Sequence, residues 1–85
     1  MSSESPVGSA IAAVLTEKFE VDPAAVRPDA TLESLDLDSL ALAELALALQ
    51  EQLGVDVAES EASKQTTVAE LTATLTAKHA TAAAR

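Results

Sequence analysis

The sequence has no cysteine, a single histidine and a single aromatic side chain among its 85 residues. The missing cysteines exclude disulfide bonds, a thiolate nucleophile and cysteine-ligated zinc, and the lone His79 excludes a multi-histidine metal site. The length allows one small domain, and it is too short for two hydrophobic cores or for an enzyme with a large cleft of its own.

Alanine and leucine make up most of the apolar 48% of the chain, whereas there are only two glycines and three prolines. Abundant alanine with few aromatic side chains favours short packed helices over strands. We therefore predict an all-α fold, a small four-helix bundle with three longer helices, one short third helix and a long loop between helices 1 and 2. One domain is expected over residues 1–85, with its core at about 6–79 and a frayed tail at 80–85.

Capping signals predict where the helices begin and end. The first helix is predicted to open at Ser5-Pro6, and the second to run from about residue 39 to 53 and stop at Gly54. The polar residues 59–64 leave room for one or two turns, and Thr67-Val-Ala-Glu70 predicts a threonine N-cap for the last helix. Four apolar side chains in the long loop indicate that it packs onto the bundle: Val21, Val26, Leu32 and Leu35.

The charge is strongly negative and unevenly distributed. Fourteen acids against five bases give a net charge of −9, and residues 29–63 hold nine acids and no base before Lys64. Such a surface repels nucleic acid and anionic membranes, so neither is expected as a partner. The acids either form a solvated face or steer basic partner proteins to this region.

No segment resembles a targeting signal or a membrane span. The N-terminal residues carry no basic cluster, and the most apolar stretch, residues 40–49, is interrupted by Glu44 and is half the length that a span needs. We expect a cytoplasmic monomer.

The second helix has two apolar faces. At about 100° per residue, one stripe of leucines forms the core side, while Leu40 and Leu47 lie nearly opposite, on the side of Glu44 and Glu51. We call these four residues the docking face, because apolar anchors with a charged rim are typical of protein-binding surfaces. The alternative is that the third helix or the loop covers it.

Ser39 begins this helix, directly after Asp38. The two residues suit an N-cap and a first-turn position, and a phosphodiester on Ser39 would face the positive end of the helix dipole. The chain offers no general base to activate the serine, so we expect no catalytic residue and no enzymatic activity of its own.

The chain resembles acyl carrier proteins over about residues 6–79. The resemblance lies in Thr31-Leu-Glu-Ser-Leu-Asp-Leu-Asp-Ser-Leu40, in Ala43-Glu-Leu45, in Leu49-Gln-Glu-Gln-Leu-Gly-Val55 and in Thr66-Thr-Val68. It implies that a phosphopantetheinyl transferase attaches 4′-phosphopantetheine from coenzyme A to Ser39, with Asp38 near the transferase's metal. The thiol of that arm would carry acyl intermediates as thioesters.

The resemblance also implies that the docking face is read by partner enzymes such as a ketosynthase or an acyltransferase. The cargo would fold into a crevice for which Ala43, Ala46 and Ala48 leave space. The pathway implied is polyketide, antibiotic or fatty acid biosynthesis.

Four residues depart from the family's usual pattern and argue against a housekeeping fatty-acid role. Asp36 replaces a common glycine, Gln50 and Gln52 replace common acids, and Gln65 replaces a typical apolar residue. Two other functions stay open. One is a peptidyl or aminoacyl carrier of nonribosomal peptide synthesis, and the other is an acidic helical binding module without a prosthetic group.

Overall fold

The computed structural model describes residues 6–83, with side chains described to residue 80. Three α-helices form the described part: α1 (Pro6–Lys18), α2 (Ser39–Leu53) and α3 (Val68–Ala83). Single turns of 3-10 helix occur at Pro23–Ala25, Glu33–Leu35 and Glu59–Glu61. The all-α prediction is confirmed, and no described helix is long and apolar enough to cross a membrane.

The short third helix predicted at residues 59–64 is not formed as an α-helix. Only Glu59–Glu61 is helical in that segment, as one 3-10 turn. The turn does not continue into a longer helix, because the carbonyls of the following Lys64 and Thr66 accept hydrogen bonds from the backbone N–H groups of Glu33 and Leu32, at 3.1 and 2.9 Å. Backbone that pairs with another segment cannot also form the ladder of a helix. The predicted short third helix is thus present only as a single 3-10 turn, and the bundle has three α-helices within residues 6–83.

The helix ends follow the capping signals. Gly54 ends α2 with a φ of +69°, and its N–H donates to the Gln50 carbonyl. At α3, Thr67 and Glu70 each accept a hydrogen bond from the other's backbone N–H, which confirms the predicted capping box. The predicted cap Ser5 lies outside the described residues. Helix α3 continues to Ala83, past the expected end of the ordered core at His79.

The core lies where α1 packs against α2 and α3. Its most deeply buried side chains come from all three helices and from the long loop: Val7, Ile11, Leu15, Leu32, Leu45, Leu49, Leu71 and Leu75. Leu35 is also buried, and Val21 and Val26 pack against the cluster, which confirms that the loop lies on the bundle.

The long loop is tied to the start of α3 by backbone pairing. Thr31 and Thr67 form an isolated antiparallel bridge, and the N–H groups of Val68 and Ala69 donate to the carbonyls of Ala30 and Pro28, both at 2.9 Å. These donors belong to the first turn of α3, which has no acceptor within its own helix. The loop therefore satisfies the helix end, and we call the paired segments 28–33 and 64–69 the strap.

Asp36 occupies the left-handed region of backbone conformation, with a φ of +65°. Glycine adopts this conformation without steric cost, which explains why glycine is common at this position in the family that the sequence resembles. Aspartate is accepted here because it tolerates the left-handed region better than most residues.

The left-handed backbone at residue 36 leads to a stability prediction. We expect Asp36→Gly to be more stable than Asp36→Ala by about 1 kcal/mol, because both remove the same carboxylate and only alanine is strained at positive φ. Urea denaturation of the two variants measures the difference. At Glu33, in the neighbouring right-handed turn, the order should reverse, with Glu33→Ala the more stable. Equal stability of the two variants at residue 36 would contradict the prediction.

Candidate functional site

The site centres on the first residue of α2, Ser39, which is exposed. Asp38 precedes it in an extended conformation and caps the helix, because its carboxylate accepts a hydrogen bond from the Ala41 N–H at 2.8 Å. Its carbonyl accepts from the Leu42 N–H at 2.8 Å. The predicted N-cap and first-turn positions are thus confirmed, and Asp38 holds the serine at the positive end of the helix.

Ser39 opens onto a groove of about 380 Å³ between α2 and the segment that follows it. Residues on α2 form one wall, and residues 59–65 form the other. The groove is lined by Ser39, Leu42, Ala43, Glu59, Ala62, Ser63, Lys64 and Gln65. We call this the serine groove. Of the three alanines expected to leave space for cargo, only Ala43 lines it, since Ala46 is buried in the core and Ala48 packs against the core.

The wall opposite Ser39 is held in place by side-chain hydrogen bonds for which the sequence carries no local signal. The Gln50 side-chain oxygen accepts from the Val57 N–H at 3.0 Å, which fixes the chain as it leaves α2. The Glu61 carboxylate accepts from the Ala58 N–H at 2.9 Å and pairs with the Lys78 ammonium. Gln50 therefore has a structural role. The sequence showed only that a glutamine stands at a position where an acid is common, and this role could not be predicted from that.

Lys78 connects this wall to α3. Its ammonium donates to the Asp56 carbonyl at 2.9 Å as well as to Glu61. The two side chains are only 32% and 25% exposed, so the pair is partly shielded from water. The Lys78 hydrogen bond, followed by the one from Ala58, holds the pKa of Glu61 below its usual value of 4.5. Lys78 therefore has a structural role, which was not predicted from the sequence. A spacing of 17 residues between the partners gave no local signal.

The docking face is uncovered. Leu40 is 68% exposed and Leu47 is 55% exposed, and they are the large apolar side chains that stand out to solvent in the described part of the chain. Glu44 and Glu51 are exposed on the same face, while Leu42, Leu45 and Leu49 are buried on the other. The alternative in which another element covers the face is therefore excluded for residues 6–83.

The phosphopantetheine arm fits the donor set of this site. Its attachment needs an exposed hydroxyl, and a phosphodiester is favoured where helix N–H groups point outward. Ser39 meets both conditions beside an open groove.

Comparison with known proteins agrees with this geometry. The family model described as phosphopantetheine attachment site matches residues 9–75. The acyl carrier protein of Thermosynechococcus vestitus is 37% identical over 67 residues, which cover 78% of this chain and 83% of that protein. Acyl carrier protein MbtL of Mycobacterium bovis is 38% identical over 79 residues, covering 92% and 94%.

The chain belongs to the acyl carrier protein family. It is an acyl carrier with a phosphopantetheine prosthetic group, and membership implies interaction with biosynthetic enzymes and with a phosphopantetheinyl transferase. The relatives favour the acyl carrier over the peptidyl carrier, and the phosphopantetheine match disfavours a binding module without a prosthetic group.

The lowered pKa of Glu61 in this acyl carrier leads to a pH prediction. A carboxyl group with a lowered pKa stabilises the folded protein above about pH 4.5, and that contribution is lost as the pH falls through the folded-state pKa. We expect Glu61→Gln to lower the free energy of unfolding by about 0.5–1 kcal/mol at pH 7 and by much less near pH 3.

Denaturation of the wild type and the variant at several pH values measures this difference. Glu59→Gln is the matched control, because it removes a carboxylate from the same 3-10 turn without removing a pair that the described residues form. A stability loss in Glu61→Gln that does not change between pH 7 and pH 3 would contradict the assignment.

Proposed function

We propose that Ser39 is the residue that bears 4′-phosphopantetheine in this acyl carrier. The observation that supports it best is the exposed serine at the start of α2, at the rim of the serine groove and within the matched residues 9–75. The thiol at the end of the arm, when bound, carries the acyl group as a thioester.

The chain's own residues position the arm and perform no catalysis. Asp38, the acid next to the serine, already accepts the Ala41 N–H as helix cap, and the one histidine, His79, lies on α3. A transferase must therefore activate the hydroxyl and deliver the phosphopantetheine. We propose that Asp38 also lies near the transferase's metal during that reaction.

The docking face is the surface that we propose for the transferase and for pathway enzymes such as a ketosynthase or an acyltransferase. Leu40 and Leu47 supply apolar anchors of the kind that dominate binding energy, and Glu44 and Glu51 supply the acidic rim. A polyketide or antibiotic pathway is favoured over housekeeping fatty acid synthesis by the departures at Asp36, Gln50, Gln52 and Gln65. The carrier is proposed to act as a monomer in the cytoplasm.

Intact mass spectrometry tests the attachment site. Incubation with coenzyme A and a broad-specificity phosphopantetheinyl transferase should add one phosphopantetheine to the wild type and none to Ser39→Ala. Ser60→Ala, which removes an exposed hydroxyl from the 3-10 turn after α2, is the matched control and should be modified as the wild type is. An unmodified wild type, with a control carrier modified in the same tube, would overturn the proposal.

A charge substitution tests the docking face. Leu47→Asp should lower the transferase's kcat/KM by about tenfold, since loss of an anchor residue costs about 1–2 kcal/mol. The fold should persist because the side chain is more than half exposed. Ala73→Asp places the same charge on an exposed position of α3 and should leave kcat/KM unchanged. Equal rates for the two variants would show that the transferase binds elsewhere.

A further inference from the structure

Two grooves adjoin the start of α2, and they differ in charge. The serine groove contains one acid, Glu59, and one base, Lys64. The second groove, of about 420 Å³, lies along the residues that precede Ser39 and is lined by Phe19, Leu35, Leu37 and other residues. Its titratable residues are four acids and no base: Glu20, Asp22, Asp36 and Asp38. The titratable residues of the second groove therefore repel a phosphodiester at Ser39, whereas those of the serine groove balance in charge.

Lys64 stands alone as a cation in this part of the chain. It is the only base between Arg27 and Lys78 in the sequence. Those two residues are engaged, Arg27 beside Asp29 and Lys78 on Glu61. Lys64 is exposed, and within residues 6–83 its ammonium has neither an ion pair nor a hydrogen bond.

The backbone of Lys64 is nevertheless held firmly against the loop that leads to Ser39. Its carbonyl accepts from the Glu33 N–H at 3.1 Å as part of the strap. The turn around it is closed by Ser63 and Thr66, whose hydroxyls lie 3.0 Å apart, while the Thr66 hydroxyl also accepts from the Ser63 N–H at 3.1 Å. Lys64 thus lines the serine groove from a backbone that hydrogen bonds hold in place, with an exposed side chain.

We propose that Lys64 is a positioning residue that binds the phosphodiester on Ser39 and directs the arm into the serine groove instead of the acidic second groove. The inference rests on the proposed attachment at Ser39. Lys64 and Ser39 line the same groove, and an exposed ion pair between the lysine ammonium and the phosphodiester, although weak, is sufficient to bias which side the arm takes. The second groove offers the phosphodiester only acids, whereas the serine groove offers it one cation, Lys64.

The test compares the arm-bearing wild type with Lys64→Met, Lys64→Arg and Lys18→Met. Lys18 is exposed at the end of α1 and lines neither groove, so its variant controls for the loss of one positive charge. Each protein is studied by phosphorus and amide NMR and by thermal melting, before and after modification. None of these readouts depends on the activity of a pathway enzyme.

In the wild type, attachment should shift the amide resonances of residues 62–65, and Lys64→Met should remove most of that shift and change the phosphorus resonance. Lys64→Arg should retain both. Attachment should change the melting temperature of each protein. We expect this change to be about 2 °C less favourable in Lys64→Met than in the wild type or in Lys18→Met.

Identical phosphorus and amide shifts in the wild type and Lys64→Met would overturn the role of Lys64 while leaving attachment at Ser39 intact. Attachment shifts that fall instead on residues lining the second groove would overturn it as well. If the wild type gains no phosphopantetheine, both the proposed attachment and this inference fail together, and the mass measurement identifies that case.

Discussion

The strap is the constraint on which the rest of the structure depends. By pairing residues 28–33 with residues 64–69, it joins the loop before Ser39 to the segment that forms the far wall of the serine groove. The two paired segments are more than thirty residues apart in sequence, and these backbone hydrogen bonds hold them in one arrangement. The strap also satisfies the first turn of α3, so the same bonds that shape the site stabilise a helix.

Charge and packing are separated in this carrier. The buried cluster of the described residues is wholly apolar, whereas the acids lie on the surface and concentrate around α2. The net charge of −9 disfavours folding through self-repulsion, and the docking face that we propose would use the same charge to attract a basic surface on a partner. Among the cations of the described part, Lys78 pairs with Glu61 and Arg27 lies beside Asp29.

Much of this architecture could be predicted from the sequence, because its signals are local. Each helix end is indicated by residues within a few positions of it: Pro6, the Asp38-Ser39 pair, Gly54 and the Thr67–Glu70 capping box. The spacing of Leu40 and Leu47 similarly identified an apolar face that the structure leaves open. What could not be predicted depends on contacts distant in sequence. The strap pairs residues 64–69 with the loop, the Gln50 side chain accepts a hydrogen bond from the Val57 N–H, and Lys78 pairs with Glu61. The left-handed conformation of Asp36 could not be predicted for a different reason. Glycine is the residue type that commonly indicates a positive φ, and this position holds an aspartate.

Helix α2 carries three surfaces at once, and this sets its tolerance to insertion and deletion. One side enters the core, the next borders the serine groove through Ser39 and Ala43, and the third is the docking face. Inserting one residue rotates everything beyond it by about 100°, which moves Leu47 away from Leu40 and brings a polar side chain into the core. Segments between the helices that lie outside the strap can change in length with far less damage. We therefore expect α2 to accept substitutions but not changes in length.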